Sequence, residues 1–125
     1  MNLGLADKVI IVTGGARGIG EGIAKLLTSE GAVAVIVGRN EKDNIKTVQA
    51  IESNNGKAFQ VVAELCLPAE CENAVKKVVE KFGRIEGLVN NAGVNDGVGL
   101  ENGTYVKFMD SLHKNLVHYY LIAHY

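Results

Sequence analysis

Hydrophobic positions alternate along this chain between short continuous β-branched runs and longer stretches with helical spacing. Lys8 to Thr13 (KVIIVT) is the first run, the pattern of a strand buried on both faces of a parallel sheet. Ile19, Ile23, Leu26 and Leu27 then repeat at helical spacing, and Gly31 stands where a left-handed cap would stop that helix. Ala32 to Val37 (AVAVIV) reads as a second buried strand. Asn40 can cap a helix with Ile45, Val48 and Ile51 on its inward face, ended by the Asn54-Asn55-Gly56 turn. Ala58 to Ala63 is the third strand. Pro68 suits the first turn of a further helix, whose Val75, Val78, Val79 and Phe82 form one stripe before Gly83. Ile85 to Val89 is the fourth strand.

The alternation β-α-β-α-β-α-β predicts an α/β fold, a Rossmann-like, doubly wound parallel sheet, in the order 3-2-1-4, because right-handed crossovers return each strand in the same direction. From Thr104 the pattern is helical again, with Tyr105, Phe108, Met109, Leu112 and Leu116 on one face. Between Leu116 and Tyr125 only His118 and His124 are not hydrophobic, so this stretch is expected to be buried on more than one side. Downstream segments or a partner subunit would normally cover it. The chain is therefore expected to be one α/β domain, residues 1–125, truncated after the fourth strand and the helix that follows.

Composition narrows the classes. A chain of 125 residues, 47% hydrophobic and 22% charged, fits one domain with a real core, and a net charge of -1 provides no basic field for nucleic acid or anionic lipid. No apolar run approaches the roughly 18 residues of a membrane span, and Met1 to Asp7 lacks the pattern of a secretion signal. A soluble cytoplasmic protein is the expectation. Cys66 and Cys71 have no His or further Cys at metal spacing and read as reduced structural thiols. His113, His118 and His124 are too badly spaced to share a helix face, so no metal site is expected.

Two motifs carry the chemistry. Thr13-Gly14-Gly15-Ala16-Arg17-Gly18-Ile19-Gly20 lies between the first strand and the first helix. Gly14 allows the tight turn, Gly18 lets backbone approach a diphosphate, and Gly20 permits close helix-strand packing, with the phosphates at the helix N-terminus. Asn90-Asn91-Ala92-Gly93 follows the fourth strand. At the end of the second strand, where an acidic residue would bind the 2′-hydroxyl of NAD, stands Gly38 followed by Arg39. Arg39 and Arg17 favour a 2′-phosphate, which guanidinium groups bind as forks; NADP is the expected cofactor and NAD the alternative.

The TGxxxGIG spacing together with NNAG resembles the classical short-chain dehydrogenase/reductase family over essentially the whole chain. That resemblance implies a backbone contact from Asn90 to Gly93 near the cofactor ribose, and an adenine site at Glu64-Leu65, with the carboxylate accepting from the exocyclic amine. It also implies that Asn115 is the first member of an Asn-Ser-Tyr-Lys catalytic tetrad. A mid-helix Asn is intrinsically unfavourable, which agrees with a special role. No tyrosine in the chain has a lysine four residues later, so the general acid/base pair is missing and the chain alone is expected to be inactive. An alternative is a short nucleotide-binding or regulatory protein without catalysis.

Leu88 to Tyr125, above all VNDGVGLE and NLVHYYLIAHY, resembles the L-fucose dehydrogenase branch of that family. This implies oxidation of a sugar or alcohol hydroxyl, with Asn95 and Asp96 placed to bind substrate hydroxyls; Asp96 could instead order its own loop through an Asx turn. The family further implies a parent homodimer or homotetramer.

Overall fold

The computed structural model describes residues 2–125. Four strands form one parallel sheet in the order β3-β2-β1-β4, as the alternation of patterns predicts: β1 is Val9–Thr13, β2 Val33–Gly38, β3 Lys57–Val62 and β4 Gly87–Val89. The third strand begins one residue earlier than the hydrophobic run, at Lys57. The fourth is shorter than expected, since Ile85 and Glu86 precede the paired segment. In their place the Glu86 side chain serves the sheet, accepting the Val9 N–H through Oε2 at 2.6 Å.

β1 and β2 are buried through nearly their whole length, and their residues alternate between two cores. Val9, Ile11, Val33, Val35 and Val37 face α3 (Pro68–Phe82) and the last helix, α5 (His118–His124). Val12, Ala34 and Ile36 face α1 (Gly18–Ser29) and α2 (Glu41–Glu52). Strands covered on both faces need apolar residues at every position, which is why period-2 alternation is absent from the sequence.

The helix faces depart from the expected stripes. Ile19 and Leu26 are 79% and 65% exposed; Ile23 and Leu27 pack against the core as expected, beside the buried Gly20, Ala24 and Thr28. Small residues let the helix axis lie close to the strands. In α2, Asn44 and Thr47 are buried beside Ile51, while Ile45 is exposed. In α3, Cys71, Ala74, Val75 and Val78 face inward and Val79 does not. Asn40 caps α2 as expected, its Oδ1 accepting the Asp43 N–H at 3.1 Å, a cap worth about 1 kcal/mol. Pro68 opens α3 and Gly83 closes it.

The final helical stretch consists of α4 (Tyr105–Leu112, capped by Thr104), a π turn at His113–Val117, and α5. His118 and Ile122 are buried against the α3 side of the sheet. Of the stripe Tyr105, Phe108, Met109, Leu112 and Leu116, the residues Tyr105, Phe108 and Leu116 are 78%, 55% and 56% exposed, while Met109 and Leu112 are half-buried. α5 packs against α3 and the core through His118 and Ile122, whereas α4 buries no residue, so much of the apolar surface of this stretch lies open. Among the described residues no helix is long and apolar enough to cross a membrane.

Candidate nucleotide-binding site

The two glycine-bearing motifs meet at the carboxyl ends of β1 and β4. Thr13, fully buried at the end of β1, accepts the N–H groups of Asn91 and Ala92 on its Oγ1, at 3.0 and 3.1 Å, and donates to Val89 O at 3.3 Å. Asn91 returns the contact, its Nδ2 donating to Thr13 O at 3.1 Å and to Gly14 O at 3.2 Å. The glycine turn and the NNAG segment are thus one hydrogen-bonded unit.

Each glycine in this turn has its own reason. Gly14 lies at φ +63°, and a Cβ there would meet Ala92 Cα at 2.9 Å. A Cβ on Gly20 would strike the Gly14 carbonyl and come within 2.5 Å of Asn91 Nδ2. Gly15 is confined by Val12 O at 2.9 Å. Gly18, at φ +52°, has open space where its Cβ would be. That space lies at the start of α1, where Arg17 supplies no side-chain cap and the first-turn N–H groups of Gly18, Ile19 and Gly20 have no partner within the helix. An uncapped helix start with a bare backbone in front of it suits an anion such as a diphosphate. Ala16 joins the turn to α2, because its carbonyl accepts from Thr47 Oγ1 at 3.2 Å.

At the end of β2, Gly38 leaves room for the buried Asn44, whose Oδ1 lies 2.7 Å from where a Cβ would be. Asn44 Nδ2 donates to Gly38 O at 2.9 Å and to Gln60 Oε1 at 3.1 Å, fixing the strand ends. Arg17 and Arg39 both reach this corner and both have carboxylate neighbours. Arg17 binds Asp43 Oδ2 through Nε at 2.7 Å, and Arg39 stands 3.8 Å from Glu64 Oε2. Glu64 follows β3; its Oε1 accepts the Cys66 N–H at 3.2 Å, and its own N–H donates to Glu70 at 2.9 Å. Leu65 turns its side chain into the core. Partial desolvation, and then the neighbouring Glu64, push the Cys66 thiol above its ordinary value; burial does the same to Cys71.

Asn115 lies in the π turn. Its Oδ1 accepts the Val94 N–H at 2.7 Å and its Nδ2 donates to Ser111 O at 3.0 Å, so the helix grips the loop just after Gly93. Such a turn leaves carbonyls unpaired in the regular ladder and is frequent at functional sites. Asn95, rather than Asp96, makes the Asx turn, accepting the Gly97 N–H at 3.2 Å. Asp96 accepts from Ser111 Oγ at 3.2 Å and borders an open cleft of about 270 Å³ with Asn102, Lys107, Asp110 and Lys114. Asp110, bonded to Lys114, holds that lysine's pKa above its ordinary value.

The structure therefore brings Gly14 to Gly20, Arg39, Glu64 and the Asn91–Gly93 segment to one edge of the sheet, and ties Asn115 to the loop beside them. Asp43, Thr47 and Ser111 give no signal in the sequence, and Thr13, though it opens the glycine motif, gives none of its side-chain role. Thr13 ends a β-branched run and looks like any strand residue. The other three act through partners distant in sequence or by small polar side chains that periodicity does not register.

A family model for short chain dehydrogenase matches residues 8–124. Hydroxynaphthalene reductase arp2 of Aspergillus fumigatus is 36% identical over 124 residues, 98% of this chain and 45% of that protein. Among solved structures, the citronellol catabolism dehydrogenase AtuB of Pseudomonas aeruginosa superposes with a TM-score of 0.89 at 34% identity, covering 97% of this chain and 50% of that one. L-Sorbose reductase from Gluconobacter frateurii, complexed with NADPH and L-sorbose, superposes with a TM-score of 0.92 at 25% identity, covering 99% and 48%. The chain spans about a third to a half of the length of the curated relatives it matches. By its glycine turn, its strand order and these matches, the chain belongs to the short-chain dehydrogenase family.

Proposed function

We propose that this chain supplies the cofactor half of an NADP-dependent dehydrogenase that oxidises a sugar hydroxyl, in the manner of L-fucose to its lactone. The observation that carries this reading is the unit formed by Thr13, Gly14, Asn91 and Ala92, which holds an uncapped helix start against the end of β4. The turn of Gly14, Gly15, Ala16, Arg17, Gly18, Ile19 and Gly20 would hold the diphosphate, chiefly through the N–H groups at the start of α1, since the Gly14 N–H is donated to Val37 O at 2.8 Å. Arg39 and Arg17 would bind the 2′-phosphate, Glu64 and Leu65 the adenine edge, and Asn91, Ala92 and Gly93 the ribose. NADP, when bound, supplies the hydride acceptor. Asn115 holds the loop that carries Asn95 and Asp96, the residues proposed for substrate hydroxyls. The sugar in the L-sorbose reductase complex supports a polyol substrate class.

The proton that leaves with the hydride needs a base. None of the four tyrosines has a lysine four residues on, so these 125 residues alone are proposed to bind cofactor without turning over. The whole enzyme is proposed to act in the cytoplasm as a dimer or tetramer, with the exposed Tyr105, Phe108 and Leu116 face buried in assembly. NAD is favoured as a second reading by one observation: carboxylates already neighbour both guanidinium groups.

The test is NADPH fluorescence with the 125-residue chain, alongside assays of the chain and of an enzyme carrying this half plus Ser and Tyr-x-x-x-Lys. Enhanced fluorescence, no turnover by the chain, and L-fucose-dependent reduction of NADP by the longer enzyme are expected. Turnover by the chain itself would refute the need for the tyrosine and lysine. A longer enzyme that reduces NADP with other alcohols but not sugars would refute the substrate reading.

A further inference from the structure

We infer that Asp43 is a cofactor-selectivity residue, which competes with the 2′-phosphate for Arg17. This rests on the reading above that Arg17 faces the 2′-phosphate. Arg17 is the residue before α1, with an extended backbone and a side chain 77% exposed. Its Nε and one terminal nitrogen both go to a single oxygen, Asp43 Oδ2, at 2.7 and 2.5 Å.

The carboxylate is held in place from behind. Asp43 is in the first turn of α2, where its N–H is already satisfied by Asn40 Oδ1 at 3.1 Å, leaving its side chain free to point at the glycine turn. α2 is tied to that turn by Thr47 Oγ1, which donates to Ala16 O at 3.2 Å. Arg39 is differently placed: its partner Glu64 stands off at 3.8 Å and is engaged with the Cys66 N–H.

A guanidinium fork bound to one carboxylate oxygen has not reached the two-oxygen geometry that a phosphate offers. An incoming 2′-phosphate would therefore take Arg17, but Asp43 would remain beside a dianion. The cost falls on NADP alone, since NAD carries no charge there. Asp43 thus holds the preference for NADP below what two arginines would otherwise give.

The test uses the full chain and two probes, 2′,5′-ADP and 5′-ADP, titrated by calorimetry at low ionic strength. Asp43→Asn keeps the size and removes the charge; it is expected to bind 2′,5′-ADP about fivefold to tenfold more tightly, with 5′-ADP unchanged. In the double variant Arg17→Leu, Asp43→Asn that gain is expected to vanish. If wild type prefers 2′,5′-ADP and Asp43→Asn leaves that preference unchanged, the inference is overturned while the NADP reading stands. A gain that survives in the double variant also overturns it, since Arg17 would not be the contested group. If neither wild type nor Asp43→Asn distinguishes the probes, the NADP reading itself falls.

Discussion

The side-chain amide of Asn91 donates to the carbonyl of Gly14 at 3.2 Å, joining segments 77 residues apart in sequence. The same nitrogen reaches Thr13 O, and Thr13 Oγ1 accepts two N–H groups in return. The glycine turn is therefore shaped by the loop after β4 as well as by its own glycines.

Asn91→Ala removes two of these bonds and leaves carbonyls at the strand end without their donor. A loss of about 1–3 kcal/mol in unfolding free energy is expected, measured by urea denaturation. NADP binding should weaken as well, because the turn loses its support. Wild-type stability in the variant would show that the two segments keep their arrangement without this side chain.

Gly18 and Gly20 should separate binding from folding. Gly18 has open space at its Cβ position and a φ of +52°, so Gly18→Ala is expected to cost about 1 kcal/mol of strain and to place a methyl group where the diphosphate would lie. Gly20→Ala drives a methyl into the Gly14 carbonyl and should cost more, about 1–3 kcal/mol or above. Thermal unfolding and nucleotide titration of the pair would check this. Equal stability losses in the two variants would contradict the assignment.

Arg39→Leu should discriminate between the cofactors. A charge-assisted bond to phosphate is worth about 1.5–3 kcal/mol, so NADP affinity is expected to fall about tenfold or more while NAD affinity holds. The NADP titration of wild type should also weaken with added salt more steeply than that of the variant. Parallel losses for both cofactors would place Arg39 away from the 2′-position.

The thiols give the chain an alkaline limit. Cys66 and Cys71 are both held above their ordinary value of 9.0, so the folded chain keeps protons that the unfolded chain has lost. Their contribution to stability is full below pH 9.0 and declines as pH rises through the raised folded values. The urea midpoint of Cys71→Ala should fall less steeply above that pH than the wild-type midpoint, whatever its absolute value at neutrality. Parallel slopes would mean that Cys71 does not titrate differently on folding.

Strand order and the glycine turn were legible because their signals are local: β-branched runs, a turn of glycines, one helix after each strand. The inward helix faces were legible only in part: Ile51, Val75 and Val78 are buried as expected. α1 packs through Gly20, Ala24 and Thr28, small residues that a search for large apolar side chains passes over, and Ile19 is left outside. Asn44 and Thr47 are buried for the bonds they make to Gly38, Gln60 and Ala16, which periodicity scores as polar surface. The π turn at Asn115 is similarly hidden. The Arg17–Asp43 pair spans 26 residues and depends on the placing of α2 beside the turn, which no local signal gives.

Calorimetric titration of the purified chain with NADP and NAD tests the cofactor site most directly. Saturable binding of both, tighter for NADP, is the expected result, with Gly18→Ala abolishing it in a folded protein. A folded wild-type chain that binds neither nucleotide would contradict the claim that the turn, Asn91 and α1 form a nucleotide site by themselves.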